Sequence, residues 1–140
     1  MRTSIEDIKI IEIPKIEDPR GNLSVIEGNT IPFKINRVYY LYDVPSGAER
    51  GGHGHIFQQE ILIALSGSFD VLLKDGLKET KITLNKPNFG LLIVNGIWRE
   101  LVDFSSGSVC LVVSSDVYDE KDYIRDFEEF KLFKDRFSNS

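Results

Sequence analysis

Residues 47–67 read GAERGGHGHIFQQEILIALSG, and this stretch holds both histidines of the chain, His53 and His55. In an extended strand, residues i and i+2 point to the same side. The two imidazoles therefore face one way, with Gly54 between them and Gly51 and Gly52 ahead. Glycines let a backbone bend and let a ligand or a neighbouring strand come close. Such a pair can hold a metal, move a proton near neutral pH, or pack in a core. Two histidines in one register beside glycines point to a functional wall more than to packing. The apolar run that follows, EILIAL, reads as a buried strand.

The same reading extends in both directions. Upstream lie IKIIEI (8–13), LSVIE, GNTIPF and INRVYYLYDV, and downstream SFDVLLKDG, KETKITLN, FGLLIV, IWRELVDF and SVCLVVSS. β-Branched and aromatic residues dominate these segments, and Gly, Asn, Pro, Ser or Asp punctuate them. Short strands spaced by about 8–12 residues predict an all-β fold, an antiparallel sandwich or barrel. The C-terminal segment differs: Ile124, Phe127, Phe130 and Phe133 recur every three residues. That spacing predicts one apolar face of a short C-terminal helix, lidding the barrel or packed on its outside. The closing FSNS reads as a frayed tail. A chain of 140 residues without repeats or linkers fits a single domain spanning 1–140.

Composition excludes several roles. The net charge of −5 and pI near 5.1 give no electrostatic support for nucleic-acid binding, although a local arginine cluster can still grip a small anion. The opening MRTSIEDIKIIEIPKIEDPRG is broken by charges and lacks a signal peptide's apolar core. No apolar stretch approaches the ~20 residues that cross a bilayer, so a soluble chain with no membrane role is expected. The lone Cys110 has no intrachain disulfide partner and reads as a small buried hydrophobe, which fits a reducing cytoplasm.

The stretch 47–67 resembles the first conserved motif of the cupin superfamily: Gly, five residues, His-x-His, a short spacer, Glu, six residues, Gly. The resemblance implies a cupin-type antiparallel β-barrel, or jelly roll. In metal-binding cupins the two histidines and the glutamate, here at the positions of His53, His55 and Glu60, are ligands. A histidine from a second motif adds a fourth. That motif corresponds to VNGIWRE (94–100), where Gly96 is kept but Arg99 fills the histidine's slot. An arginine has no lone pair to give a metal, and its charge repels a divalent cation while attracting an anion or an enolate. A site without metal is therefore expected, with a three-ligand, metal-dependent cupin enzyme left as the alternative.

A closer resemblance runs from about Asp18 to Phe130. DPRGNL, IPFKINRVYY, RGGHGH, GLLIVNGIWREL, DFSSG and SSDVYDEKDYIRDFEEF occur in this order and are similar to the nucleotide-sugar 3,4-ketoisomerases. The resemblance implies an enzyme without cofactor or metal, acting on a dTDP-linked 4-keto-6-deoxy sugar to supply 3-amino-3,6-dideoxy sugar biosynthesis. It implies a homodimer that exchanges N-terminal strands. Moving a carbonyl from C4 to C3 needs a base, an acid or shuttle, and a positive group for the enediolate oxygen. His53 is the candidate base and His55 its partner, their order left open. Tyr39 shares a strand face with Arg37 and is a candidate for a sugar oxygen, and Arg99 for the developing oxyanion. Glu100 falls on the opposite strand face. Arg20, Arg37 and Arg50 are candidates for the diphosphate, Arg20 across the dimer, and Gln59 for substrate contact.

The chain departs from the family at Gly52 and Gly54, which suggests a roomier pocket, and at Glu60, which follows Gln59 where the family's glutamine stands. Galacto-product members carry arginine and histidine at positions 20 and 99, gluco-product members tyrosine and arginine. Arg20 with Arg99 mixes the two, and Arg20 tips the expectation towards the galacto product. A non-catalytic sugar-nucleotide-binding module is the remaining class.

Overall fold

Among the described residues, 2–138 of the computed structural model, the apolar alternation becomes twelve strands and one α-helix. The strands are β1 (Lys9–Glu12), β2 (Lys15–Ile16), β3 (Leu23–Ser24), β4 (Arg37–Leu41), β5 (Arg50–His55), β6 (Glu60–Ser66), β7 (Phe69–Lys74), β8 (Glu79–Leu84), β9 (Phe89–Ile93), β10 (Trp98–Val102), β11 (Val109–Ser114) and β12 (Tyr123–Ile124), followed by helix α1 (Phe127–Ser138). One sheet runs β1-β9-β6-β11-β4, the other β12-β5-β10-β7-β8, and β2 with β3 form a separate ribbon. Every pairing is antiparallel.

The inner faces of the two sheets share one core. Leu62 and Ala64 of β6, Leu91 and Ile93 of β9 and Val112 of β11 meet Phe69, Val71 and Leu73 of β7 and Leu101 of β10. Cys110 lies in this core, and burial pushes its thiol up to about 12. The reverse side of β6 is covered too: Ile61 and Ile63 pack with Ile13, Ile31, Leu92 and Val113. A strand buried on both faces has no polar alternation, which is why Ile61 to Ala64 run apolar without interruption. Ile31 comes from GNTIPF, which forms turns and bends instead of the expected strand and serves as a lid on this outer face.

The C-terminal helix is shorter than its periodicity implied. Ile124 belongs to β12, opposite Gly54, and the helix starts only at Phe127, where the Asp126 carboxylate accepts the Glu129 N–H at 3.0 Å. The helix packs on the outside of the second sheet, with Phe130 fully buried beside Trp98. Of FSNS, residues 137 and 138 remain helical, and 139 and 140 lie outside the described residues. No described helix is long and apolar enough to cross a membrane.

Two glycines of the histidine stretch have definite structural tasks. A Cβ on Gly54 would stand 2.9 Å from Cδ1 and Cε1 of Phe130, so this glycine admits the helix. Its bare side faces outward, and Gly52 likewise faces the Trp98 ring. The expectation that these two glycines enlarge the pocket is therefore corrected. Gly51, at φ 79°, sits where β5 gains one residue against β10: His53 pairs with Arg99, but Arg50 pairs with Leu101. This bulge turns Arg50 towards the barrel mouth, where regular alternation would have sent it outward.

Candidate active site

A cavity of about 260 Å³ opens at one end of the barrel between the two sheets. β4 brings Arg37 and Tyr39 to it, β5 brings Arg50 and His53, β6 brings Glu60 and β10 brings Arg99. The segment after β11 closes the rim with Tyr118, Tyr123 and Arg125. Alternation sets this out: Arg37 and Tyr39 point inward, while Val38 and Tyr40 between and beyond them are more than half exposed.

The histidines occupy two depths. His53 lines the cavity, and fully buried His55 lies behind it. Their Nε2 atoms are 3.0 Å apart, so one proton lies between them. On its far side, His55 Nδ1 is 3.0 Å from Oδ2 of Asp122. That carboxylate also accepts the backbone N–H groups of Phe57 at 2.6 Å and Gln58 at 3.3 Å. A group accepting from two amides has only acceptor capacity left for the imidazole, so His55 donates through Nδ1.

Glu60 ties the other strands together. Arg99 Nη1 donates to its Oε1, while Tyr39 Oη and Ser114 Oγ donate to Oε2 at 2.7 and 3.0 Å. His55 Nε2 stands 3.4 Å from Oε1. Both charges of the Arg99–Glu60 pair are almost wholly buried. Above them, the Arg37 guanidinium lies 4.4 Å over the Tyr39 ring and donates to Tyr123 Oη at 3.2 Å. Arg125 lies 4.4 Å over the Tyr123 ring and grips Glu120 through two bonds of 2.7 and 2.9 Å.

These surroundings set the protonation states. Burial, then the positive charge of Arg99, push His53 down to about 2. Burial lowers His55 as well, against the pull of Glu60. The His53 ring is therefore neutral at pH 7, and His55 is shifted the same way from the near-neutral titration of a free histidine. Burial works to raise Glu60, but its close contacts with His55 and with the charge of Arg99 outweigh it, holding this carboxyl below the usual range. Burial and the charge on Glu60 push the Tyr39 phenol up, so it keeps its proton.

His53, His55 and Glu60 offer donor atoms within 4.8 Å of one another. The set nevertheless does not fit a divalent ion. The Glu60 oxygens are taken by Arg99, Tyr39 and Ser114, and a fixed cation stands where coordination would have to close.

Of the residues singled out from the sequence, the structure gathers His53, Tyr39, Arg37, Arg50 and Arg99 around one cavity, with His55 directly behind. It does not bring Arg20 or Gln59 there. Arg20 lies in the turn between β2 and β3, highly exposed and paired with Asp18. Gln59 faces away from the cavity because Glu60 takes the inward register. The buried glutamine is Gln58, whose side-chain amide has no hydrogen-bond partner among the described residues. Sequence reasoning missed Ser114, Tyr118, Asp122, Tyr123 and Arg125, and weighed Glu60 only as a metal ligand. VYDEKDYIR contains four of the five, but lies more than sixty residues from the histidines in irregular chain with no periodicity to set its direction.

The family described as FdtA: WxcM-like, C-terminal matches residues 6–135. TDP-4-oxo-6-deoxy-alpha-D-glucose-3,4-oxoisomerase of Aneurinibacillus thermoaerophilus is 45% identical over 126 residues, 89% of this chain and 91% of that protein. QdtA, a sugar 3,4-ketoisomerase from Thermoanaerobacterium thermosaccharolyticum solved in complex with TDP, superposes with a TM-score of 0.90 at 40% identity, covering 93% of this chain and 96% of that one. A further structure of a QdtA variant holds TDP-4-keto-6-deoxyglucose. WlaRB, the TDP-quinovose 3,4-ketoisomerase of Campylobacter jejuni, superposes at 0.87 with 43% identity, covering 91% and 99%. The close relatives are thus TDP-sugar 3,4-ketoisomerases, and the shared architecture is the expected cupin-type jelly roll.

Proposed function

The chain belongs to the FdtA: WxcM-like, C-terminal family, and from that premise we propose that it is a 3,4-ketoisomerase acting on TDP-4-keto-6-deoxyglucose. The observation that carries this reading is a neutral imidazole, a protonated phenol and a buried guanidinium around a single cavity: His53, Tyr39 and Arg99. The reaction relocates hydrogen within one molecule. The C3 proton leaves to a base as the C4 oxygen gains one, giving an enediol. C4 then takes a proton as the O3 proton departs, leaving a ketone at C3. No electron leaves the sugar, so no redox partner is required.

A neutral His53 has the lone pair that proton removal needs, and Tyr39 can donate to a sugar oxygen. Arg99 supplies fixed positive charge where the enediolate oxygen develops. At the rim, Arg37, Arg50 and Arg125 offset the diphosphate through charge-assisted hydrogen bonds. Arg20 can join them only across a dimer. Exposed Val38 and Tyr40 on edge strand β4, with Ile16 and Leu23 on the β2–β3 ribbon, support a homodimer with exchanged N-terminal strands. The acidic net charge and the single buried thiol support a cytoplasmic setting without nucleic-acid partners.

The test is direct. Incubation with TDP-4-keto-6-deoxyglucose in deuterated water, followed by NMR, should yield a 3-keto sugar with deuterium at C4. The configuration at C4 reads out the galacto product that Arg20 favours against the gluco product that Arg99 favours. Unchanged substrate after prolonged incubation overturns the assignment.

A further inference from the structure

We infer that Asp122, His55 and His53 form a proton relay in which Asp122 is the positioning residue, fixing both imidazole tautomers so that the lone pair of His53 faces the cavity. The inference rests on the ketoisomerase reading for its substrate but not for its geometry.

The chain of contacts leaves little choice of tautomer. Asp122 accepts from Phe57 N, Gln58 N and His55 Nδ1, so the His55 proton sits on Nδ1 and its Nε2 is bare. That bare Nε2 faces His53 Nε2 at 3.0 Å, so His53 must carry its proton there and donate it. Nδ1 of His53 is then unprotonated. It is the ring nitrogen left without a partner among the described residues, on a ring that lines the cavity.

The same geometry says where charge goes when His53 works. As Nδ1 takes a proton from carbon, the Nε2 proton can pass to His55 Nε2. On His53 one N–H bond forms as another breaks, so this ring ends neutral, while His55 gains an N–H bond and loses none. The positive charge comes to rest on His55, between Asp122 at 3.0 Å and Glu60 at 3.4 Å. Without this transfer, charge would stay on the ring nearer the cavity, where Arg99 disfavours it. Return of the proton reverses the sequence and resets both rings.

Asp122→Asn tests the relay with little change in shape. The bond from Phe57 N, at 2.6 Å, is the tightest of the three and holds the amide oxygen on its side. The amide NH₂ then points at His55 Nδ1 and donates to it. His55 is forced to carry its proton on Nε2, His53 must move its own to Nδ1, and the base lone pair disappears from the cavity. A carboxylate-to-amide change that installs the wrong tautomer lowers kcat by about 10⁴-fold in an analogous histidine site. The same order of loss is expected here, with TDP affinity within about threefold.

Because the chain has only two histidines, ¹⁵N-histidine NMR of the free protein reads both tautomers directly. Wild type should show a protonated Nδ1 on His55 and a protonated Nε2 on His53, and Asp122→Asn should exchange both. Wild-type rings in other tautomers overturn the inference even if the variant fails to fold. So does a variant with unaltered kcat, or one with reduced kcat and unaltered tautomers, which marks a merely structural aspartate. A wild type inert towards TDP-4-keto-6-deoxyglucose with the expected tautomers refutes the substrate assignment and leaves the relay standing.

Discussion

Lowering the pH from 8 to 5 should destabilise the fold through His53, by an amount the structure fixes. In the unfolded chain this histidine titrates near 6.5, whereas burial and Arg99 hold it at about 2 in the folded barrel. Between those values the unfolded state binds the extra proton, so stability is complete above about pH 6.5 and falls as the pH drops. At pH 5 the unfolded imidazole is almost entirely protonated, and the linkage amounts to about 2 kcal/mol. His55 is shifted the same way and adds to the loss. Glu60, also held low, contributes only below its unfolded range near 4.5, outside this window. Urea denaturation at pH 8, 7, 6 and 5 measures the effect. With an m-value of about 2 kcal/mol per molar, His53 alone moves the midpoint down by about 1 M. His53→Asn removes one titrating ring and should flatten the curve by that amount. A midpoint unchanged between pH 8 and 5, or an identical loss in the variant, refutes the claim that this imidazole is buried neutral.

Three further outcomes are expected. Gly54→Ala drives a methyl into the Phe130 ring and should cost about 1–3 kcal/mol in a thermal or urea melt, and adding Phe130→Leu should restore part of it. Tyr39→Phe removes the phenol that donates to Glu60, and should cut kcat by about 10²-fold or more while TDP titration by calorimetry stays near wild type. Arg99→Met leaves the Glu60 carboxylate buried without its cation and should destabilise by about 3–5 kcal/mol, whereas Arg99→Met with Glu60→Gln should recover most of the stability but none of the turnover.

The fold was legible in the sequence wherever burial wrote a regular pattern. Strand alternation placed Arg37 with Tyr39 and His53 with His55 on inward faces. The double-sided burial of β6 showed as a run without polar interruption. The reading erred where tertiary contacts override local pattern. Ile124 matched the aromatic spacing of the helix, yet its backbone pairs with Gly54. GNTIPF has strand-forming residues, yet its apolar side chains serve as a cap. Within the site, regular strands announced their members, whereas Asp122 acts from a short 3₁₀ turn, where no periodicity gives a side chain's direction. Glu60 was visible but misjudged, because its partners Arg99, Tyr39 and Ser114 come from three other strands.

The turn carrying Asp122 lies late in the chain, and this has a consequence for biosynthesis. As the polypeptide emerges from the ribosome, β5 and its histidines are exposed long before residues 118–125 follow. Until then His55 Nδ1 has no carboxylate to face, and either ring can hold its proton on either nitrogen. A nascent chain arrested after Ser115 has eleven of the twelve strands, with the turn carrying Asp122, β12 and the helix still to come, and its two imidazoles lack a fixed orientation. A fixed orientation therefore arrives in one late step, when the segment after Ser115 docks.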